Sequence, residues 1–148
     1  MKPRTPVCGI GTLGIILALA AMAGGCGDGH PKRVRVAGTL TIDGKPIPYA
    51  ELRLIPTQGR PALATTDPSG GFKLGTFKPG DGAVPGTYKV TVVAYERKNS
   101  AIRWLVPKKY EQAKTSATTV TIDAPTDELK IELAWHGETP EFDHPPSE

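Results

Sequence analysis

The sequence predicts an all-β protein, a single seven-stranded antiparallel Greek-key β-sandwich of prealbumin-like or immunoglobulin-like type. Three observations predict it. Apolar residues recur with period two in short runs, as they do on half-buried strands. The runs are separated by turn residues, and the 17 Gly and 15 Pro of the 148 residues fall largely between them rather than inside them. No segment of any length carries the 3.6-residue period of an amphipathic helix.

The elements follow in order. Val34, Val36, Gly38, Leu40 and Ile42 share one face, with Arg33, Arg35, Thr39 and Thr41 on the other. Asp43-Gly44 is a hairpin signal. Ala50, Leu52 and Leu54 then face inward against Glu51 and Arg53. A loop over 57–61 precedes a short strand, Ala62 to Thr66, and Asp67-Pro68-Ser69-Gly70-Gly71 is a tight turn into Phe72-Lys73-Leu74. Residues 78–86 are too rich in Gly and Pro for a regular element. The most regular strand comes next, with Tyr88, Val90, Val92 and Ala94 inward and Lys89, Thr91 and Val93 outward. Thr118 to Ile122 and Leu129 to Leu133 close the domain, which spans 33–135. About 100 residues make one small domain, and no disulfide staples it, so a packed core must hold it.

Two segments fall outside this pattern. Residues 96–117 show no strand alternation, and a loop of that length in a compact domain is usually functional or disordered. It carries Arg97, Lys98, Arg103, Lys108, Lys109 and Lys114 around Trp104 and Tyr110. Within it, residues 107–113 suit one helical turn with Pro107 at its start. The tail 136–148 is acidic, Pro-rich and without apolar periodicity, and is expected to lack regular structure.

The first 25 residues are not part of the domain. Lys2 and Arg4 lead into an apolar run, Ile10 to Ala23, which is short for a membrane span and flanked like a cleaved leader. The run ends Ala23-Gly24-Gly25-Cys26. Three small residues before a cysteine, directly after an apolar run, resemble the lipobox of bacterial lipoproteins. That resemblance implies a signal peptide over 1–25, a diacylglycerol on the Cys26 thiol, and a membrane-tethered amino terminus and spacer over 26–32. Ala21-Met22-Ala23 is also a site at which an ordinary secretory peptidase would cut. Cysteine arithmetic separates the two routes. Cys8 is the only other cysteine and lies in the leader, so ordinary cleavage leaves an unpaired thiol in an oxidising compartment, whereas lipidation consumes it.

Residues 36–48, Val-Ala-Gly-Thr-Leu-Thr-Ile-Asp-Gly-Lys-Pro-Ile-Pro, resemble the opening of carboxypeptidase regulatory-like (transthyretin-like) sandwich domains, and Thr65 to Phe72 resembles the turn that follows in that family. The chain is also similar to small lipoproteins of planctomycete-type bacteria, through Phe77 to Val92, Val106-Pro107-Lys108-Lys109-Tyr110 and Thr115-Ser116. These resemblances cover 26–134 and imply a fold and an anchor. They imply no activity, and the Tyr-Arg-Gly-Ser ending of the purine-catabolic hydrolase among transthyretin-like sandwiches is missing.

The function classes narrow accordingly. The formal charge of +3 falls to about +1 without Lys2 and Arg4, which gives no electrostatic case for nucleic acid. His30, His136 and His144 lie in the spacer and tail, so no structural metal site and no cofactor are expected. The predicted core holds neither His nor Cys, so no nucleophilic triad can be assembled and no enzyme is expected. Asp67 and Asp81 read as turn formers, since one carboxylate per turn falls far short of what Ca²⁺ requires. What remains is a membrane-anchored binding or structural module of the cell envelope. Its candidate binding residues are Trp104, Lys108, Lys109 and Tyr110, facing a polysaccharide, a glycopeptide or a larger envelope complex. The alternative for the same segment is that Tyr110 and Leu105 cap the open end of the domain, with the charges solvated.

Overall fold

The alternation read in residues 34–42 is carried out position by position. In β1 (Val36–Ile42) Val36, Gly38, Leu40 and Ile42 are buried while Thr39 is exposed. The computed structural model describes residues 29–99 and 101–137 and the short strand β11 (Phe142–Asp143). The leader, Cys26 and His144 lie outside the described residues. The chain divides into two units between His30 and Pro31, and the strands all belong to the second.

β1 is the centre of a first sheet. On one side it pairs with β10 (Thr126–Leu133), and on the other with β2 (Lys45–Pro46) and β5 (Gly71–Lys73). A second sheet has the order β4-β3-β6-β9, from Ala62–Thr65, Glu51–Pro56, Gly86–Val93 and Thr119–Ile122. The inner faces of both sheets feed one hydrophobic core: Leu40, Phe72 and Ile131 from the first meet Leu52, Val90 and Ile122 from the second. A third sheet, β11-β8-β7, is built on Tyr95–Lys98 (β7) and Ala101–Trp104 (β8).

The all-β class is thus what the chain adopts, with two departures from seven antiparallel strands. The β1–β10 pair is parallel, Leu40 lying opposite Ile131 and Ile42 opposite Leu133. Parallel neighbours need a crossover. Here the chain crosses through the whole second sheet and returns beside β1 in the direction it left. The second departure is the extra strands of the third sheet, taken up below.

Turn chemistry fixes the register. Asp43 and Gly44, at φ 46° and 77°, form the two-residue connection that sets Ile42 opposite Lys45. The Asp67 carboxylate accepts from the N–H groups of Ser69 (2.8 Å) and Gly71 (2.9 Å) and from the Ser69 hydroxyl (2.6 Å), holding the turn into β5. Thr66 is the buried polar link between turns. Its hydroxyl donates to the Ile47 carbonyl (2.7 Å) and accepts from the Ala50 N–H (2.8 Å), tying the β2–β3 connection to the end of β4.

In β6, Tyr88, Val90 and Val92 are buried and Lys89 is exposed, as the alternation requires. Thr91, expected to face outward into solvent, is buried instead. It lies directly opposite Arg53 on β3, and its hydroxyl reaches the Arg53 carbonyl oxygen at 3.4 Å. Alternation tells which face a side chain takes; it does not tell whether that face is covered. Thr91 is therefore a poor surface control, and Lys89 a good one. Val90→Asp is expected to unfold the domain, since an unpaired buried charge consumes much of a typical margin of about 5–15 kcal/mol. Lys89→Asp should melt close to the native temperature in the same circular-dichroism experiment. Equal melting of the two would mean that the register is wrong.

Candidate functional site

The segment after β6 is ordered by two devices. The first is a hairpin: β7 and β8 pair with Tyr95 opposite Trp104, Glu96 opposite Arg103, Arg97 opposite Ile102 and Lys98 opposite Ala101. A two-residue connection joins them, and Asn99 takes the left-handed conformation (φ 57°) such a turn needs. The expectation of a strandless loop over 96–117 is therefore corrected. All four residues of β7 are exposed. With no residue of β7 buried, nothing imposes alternation on that strand, so the periodicity that marks the other strands is absent there. The tail, expected to carry no regular structure, contributes β11 as a third strand, with Phe142 opposite Arg103 and Asp143 opposite Ile102.

The second device is a 3₁₀ turn, Lys108–Glu111, opened by Pro107. It carries Tyr110 into the core cluster with Val106. The Tyr110 hydroxyl donates to the carbonyl of Ala134 (3.1 Å) and accepts from the N–H of the same residue (3.2 Å), satisfying both backbone groups just past the end of β10. Beyond the turn, Thr115 donates to the Lys109 carbonyl (2.6 Å), and the buried Ser116 hydroxyl donates to the carbonyl of Val90. Residues 105–118 thus form a strap over the end of the core.

The four residues singled out in the sequence separate on these two devices. Tyr110 is a capping residue, and its ring is buried. Lys109 is half-buried, with its ammonium 5.4 Å from the Tyr110 ring centre. Trp104 and Lys108 come together on the ribbon side, the Lys108 ammonium lying 5.3 Å from the Trp104 ring centre. Trp104 is half-buried and lies outside the core cluster. Its ring meets Tyr95 at 5.7 Å between centroids and 59° between planes. Tyr95 is 52% exposed and was not among the sequence candidates. The signal that would have found it is the hairpin itself, which sets Tyr95 across from Trp104. Cys26 lies outside the described residues.

A second concave feature lies along the edges of β4 and β5, an open groove of about 1000 Å³ lined by residues that include Arg60, Leu63, Lys73, Phe77 and Asp127. At its rim the Phe77 ring lies between two guanidinium groups, Arg33 at 5.0 Å and Arg60 at 5.5 Å. The loop carrying Phe77 is built around Asp81. Its carboxylate accepts from the N–H groups of Thr76 (2.7 Å), Lys78 (3.1 Å) and Phe77 (3.3 Å) and pairs with Arg33 Nε at 3.1 Å. Desolvation pushes the Asp81 carboxyl up, but those N–H groups and Arg33 outweigh it and hold it below the ordinary carboxylate range. Among the described residues, no group of three or more His, Cys, Asp or Glu is placed to hold a metal ion. No family model, curated protein or solved structure matches this chain.

Two outcomes follow. Tyr110→Phe keeps the ring and removes the hydroxyl, leaving the Ala134 N–H and carbonyl without their partner. A loss of about 1–3 kcal/mol is expected in chemical denaturation; no loss would show that the strap does not depend on this contact. For Asp81 the folded pKa is depressed. Its stabilisation is fully present above the unfolded value of about 3.9 and disappears as pH falls through the folded value. Asp81→Asn should therefore be less stable than the native chain near neutrality and should flatten the acid limb of a stability–pH curve. Asp67 is also held low, first by the Ser69 hydroxyl and then by the Gly71 and Ser69 N–H groups, so part of the acid limb should persist.

Proposed function

We propose that this chain is a lipid-anchored, non-catalytic module of the cell envelope whose β domain presents a binding surface on the β7–β8 ribbon. The observation that supports a binding role is the placement of Tyr95 and Trp104 on a third sheet, outside the core cluster, with Lys108 of the strap beside Trp104. A domain end sealed by Tyr110 does not need these rings in its core, so an exposed Tyr95 beside a half-buried Trp104 calls for another reason. The anchoring reading rests on Cys26 after three small residues and an apolar run. Two four-stranded sheets around a shared core, with an Asp67-centred turn between β4 and β5, support a transthyretin-like Greek-key sandwich as the finer description of the fold.

Anchoring is tested at Cys26. Cys26→Ala should move the protein from the membrane to the soluble fraction of lysed cells, because acyl chains contribute about 0.8 kcal/mol per buried CH₂ and several together hold a protein almost irreversibly. Intact-mass measurement of the native protein should show an acylated chain beginning at Cys26. An unmodified chain beginning at Gly24 would overturn the reading.

A further inference from the structure

The domain has two distinguishable ends, and the chain's first strand connects them. Val34 bridges Ala83, just before β6 begins, so β1 and β6 start together. At the far end Ile42 pairs with Leu133, next to the Ala134 that Tyr110 grips, and β6 has by then passed into the ribbon with only Ala94 between. Val34 therefore stands at one end and the ribbon leaves from the other. Eight residue steps separate Cys26 from Val34, a reach of about 28 Å when fully extended. The seven residues of β1 alone span about 23 Å, and the ribbon lies beyond them. The ribbon is thus at the end of the domain farther from Val34.

The ribbon's chemistry narrows the partner. Tyr95 and Arg97 are two positions apart on β7 and so project to the same face, about 7 Å apart. Trp104 and Ile102 lie opposite them on that face. Lys108 sits over Trp104, while Arg103 on the other face pairs with Glu96 at 3.9 Å. The face thus offers two ring surfaces and two cations, with one aliphatic side chain. Flat C–H faces stack on such rings, and acidic substituents meet such cations.

We propose that the Tyr95/Trp104 face of the β7–β8 ribbon binds a carboxylated polysaccharide, with a pyranose ring stacked on Tyr95 and its acid groups met by Arg97 and Lys108. This rests on the reading of the chain as an anchored binding module and names the ligand class of that surface. The test uses the full chain, purified from whichever cell fraction holds it, and four probes. Polygalacturonate supplies rings and carboxylates, amylose rings alone, polyglutamate carboxylates alone, and phosphatidylglycerol vesicles an anionic bilayer. Retention on polygalacturonate, and on neither amylose nor polyglutamate, is expected; the acyl chains alone should hold the native chain on vesicles, so vesicle retention should be lost in Cys26→Ala. Tyr95→Ala should weaken it about tenfold or more, as loss of a stacking ring does elsewhere, and Arg97→Glu should do the same, with melting unchanged in both. Equal retention on polyglutamate, retention of the Cys26→Ala chain on vesicles equal to its retention on polygalacturonate, or variants that bind polygalacturonate like the native chain, would overturn the proposal. A membrane-bound chain that ignores polygalacturonate sinks this inference and leaves the anchored-module reading standing. A soluble chain that binds through Tyr95 does the reverse.

Discussion

Where β1 and β10 lie side by side, the Leu129 carbonyl oxygen occupies the space a side chain on residue 38 would need. A Cβ placed on Gly38 would stand 1.9 Å from that oxygen. The approach coincides with an irregularity in the ladder, since two residue steps on β1 (Val36 to Gly38) are matched by three on β10 (Thr126 to Leu129). Only glycine lets the two backbones close here. With them closed, Ile131 and Leu133 turn into the core, and the chain runs on to Ala134. Ala134 is the residue Tyr110 holds. The strap and the ribbon it releases therefore depend on a missing side chain nearly a hundred positions earlier in the sequence than the contact it permits.

The motifs within residues 77–92, 106–110 and 115–116 acquire physical roles in this light. Gly82 passes so close to the Val34 carbonyl that a Cβ would lie 2.1 Å from it. Asp81 gathers three backbone N–H groups, and the Tyr88 hydroxyl donates to the carbonyl of Val84. Pro107 and Tyr110 make the strap, while Thr115 and Ser116 fasten its far side. Each satisfies a backbone group that a loop-rich domain of this size would otherwise leave without a partner. These motifs describe how the domain holds together. Tyr95, Arg97 and Trp104 fall outside them.

The same division explains what could be read in advance. Strands with one buried face were legible, because burial imposes period two: β1, β3, β6 and the end of β10 stood where alternation put them. Asp43-Gly44 and Asp67 to Gly71 were legible because turn chemistry is local. The parallel pairing of β1 with β10 was not, since nothing local distinguishes the direction in which a distant strand returns. The hairpin of β7 and β8 was hidden because its four-residue strand Tyr-Glu-Arg-Lys is exposed throughout. Of the candidate site, Trp104 and Lys108 were singled out through composition, and the fold brings the two side chains together. Tyr110 was singled out on the same ground, with capping of the open end as the alternative, and it is the cap, since its ring is in the core and its hydroxyl has backbone partners that composition cannot see. Tyr95 was passed over as the end of a strand.

Burial at the end of the domain also bears on how the ribbon can vary. With Val106, Tyr110 and Leu133 closing the core beneath it, the ribbon contributes little apolar area to folding, and its four β7 side chains are all exposed. Substitutions there act on the surface, where effects on stability are usually within about 0.5 kcal/mol. Substitutions in the strap act on buried hydrogen bonds and cost more. The strap thus separates a fixed requirement of packing from a surface whose chemistry can change without unfolding the domain. That separation gives a small β domain without disulfides room to carry a recognition surface: the ribbon's aromatic and cationic groups stand on backbone pairing of their own, and the core beneath them is complete without them.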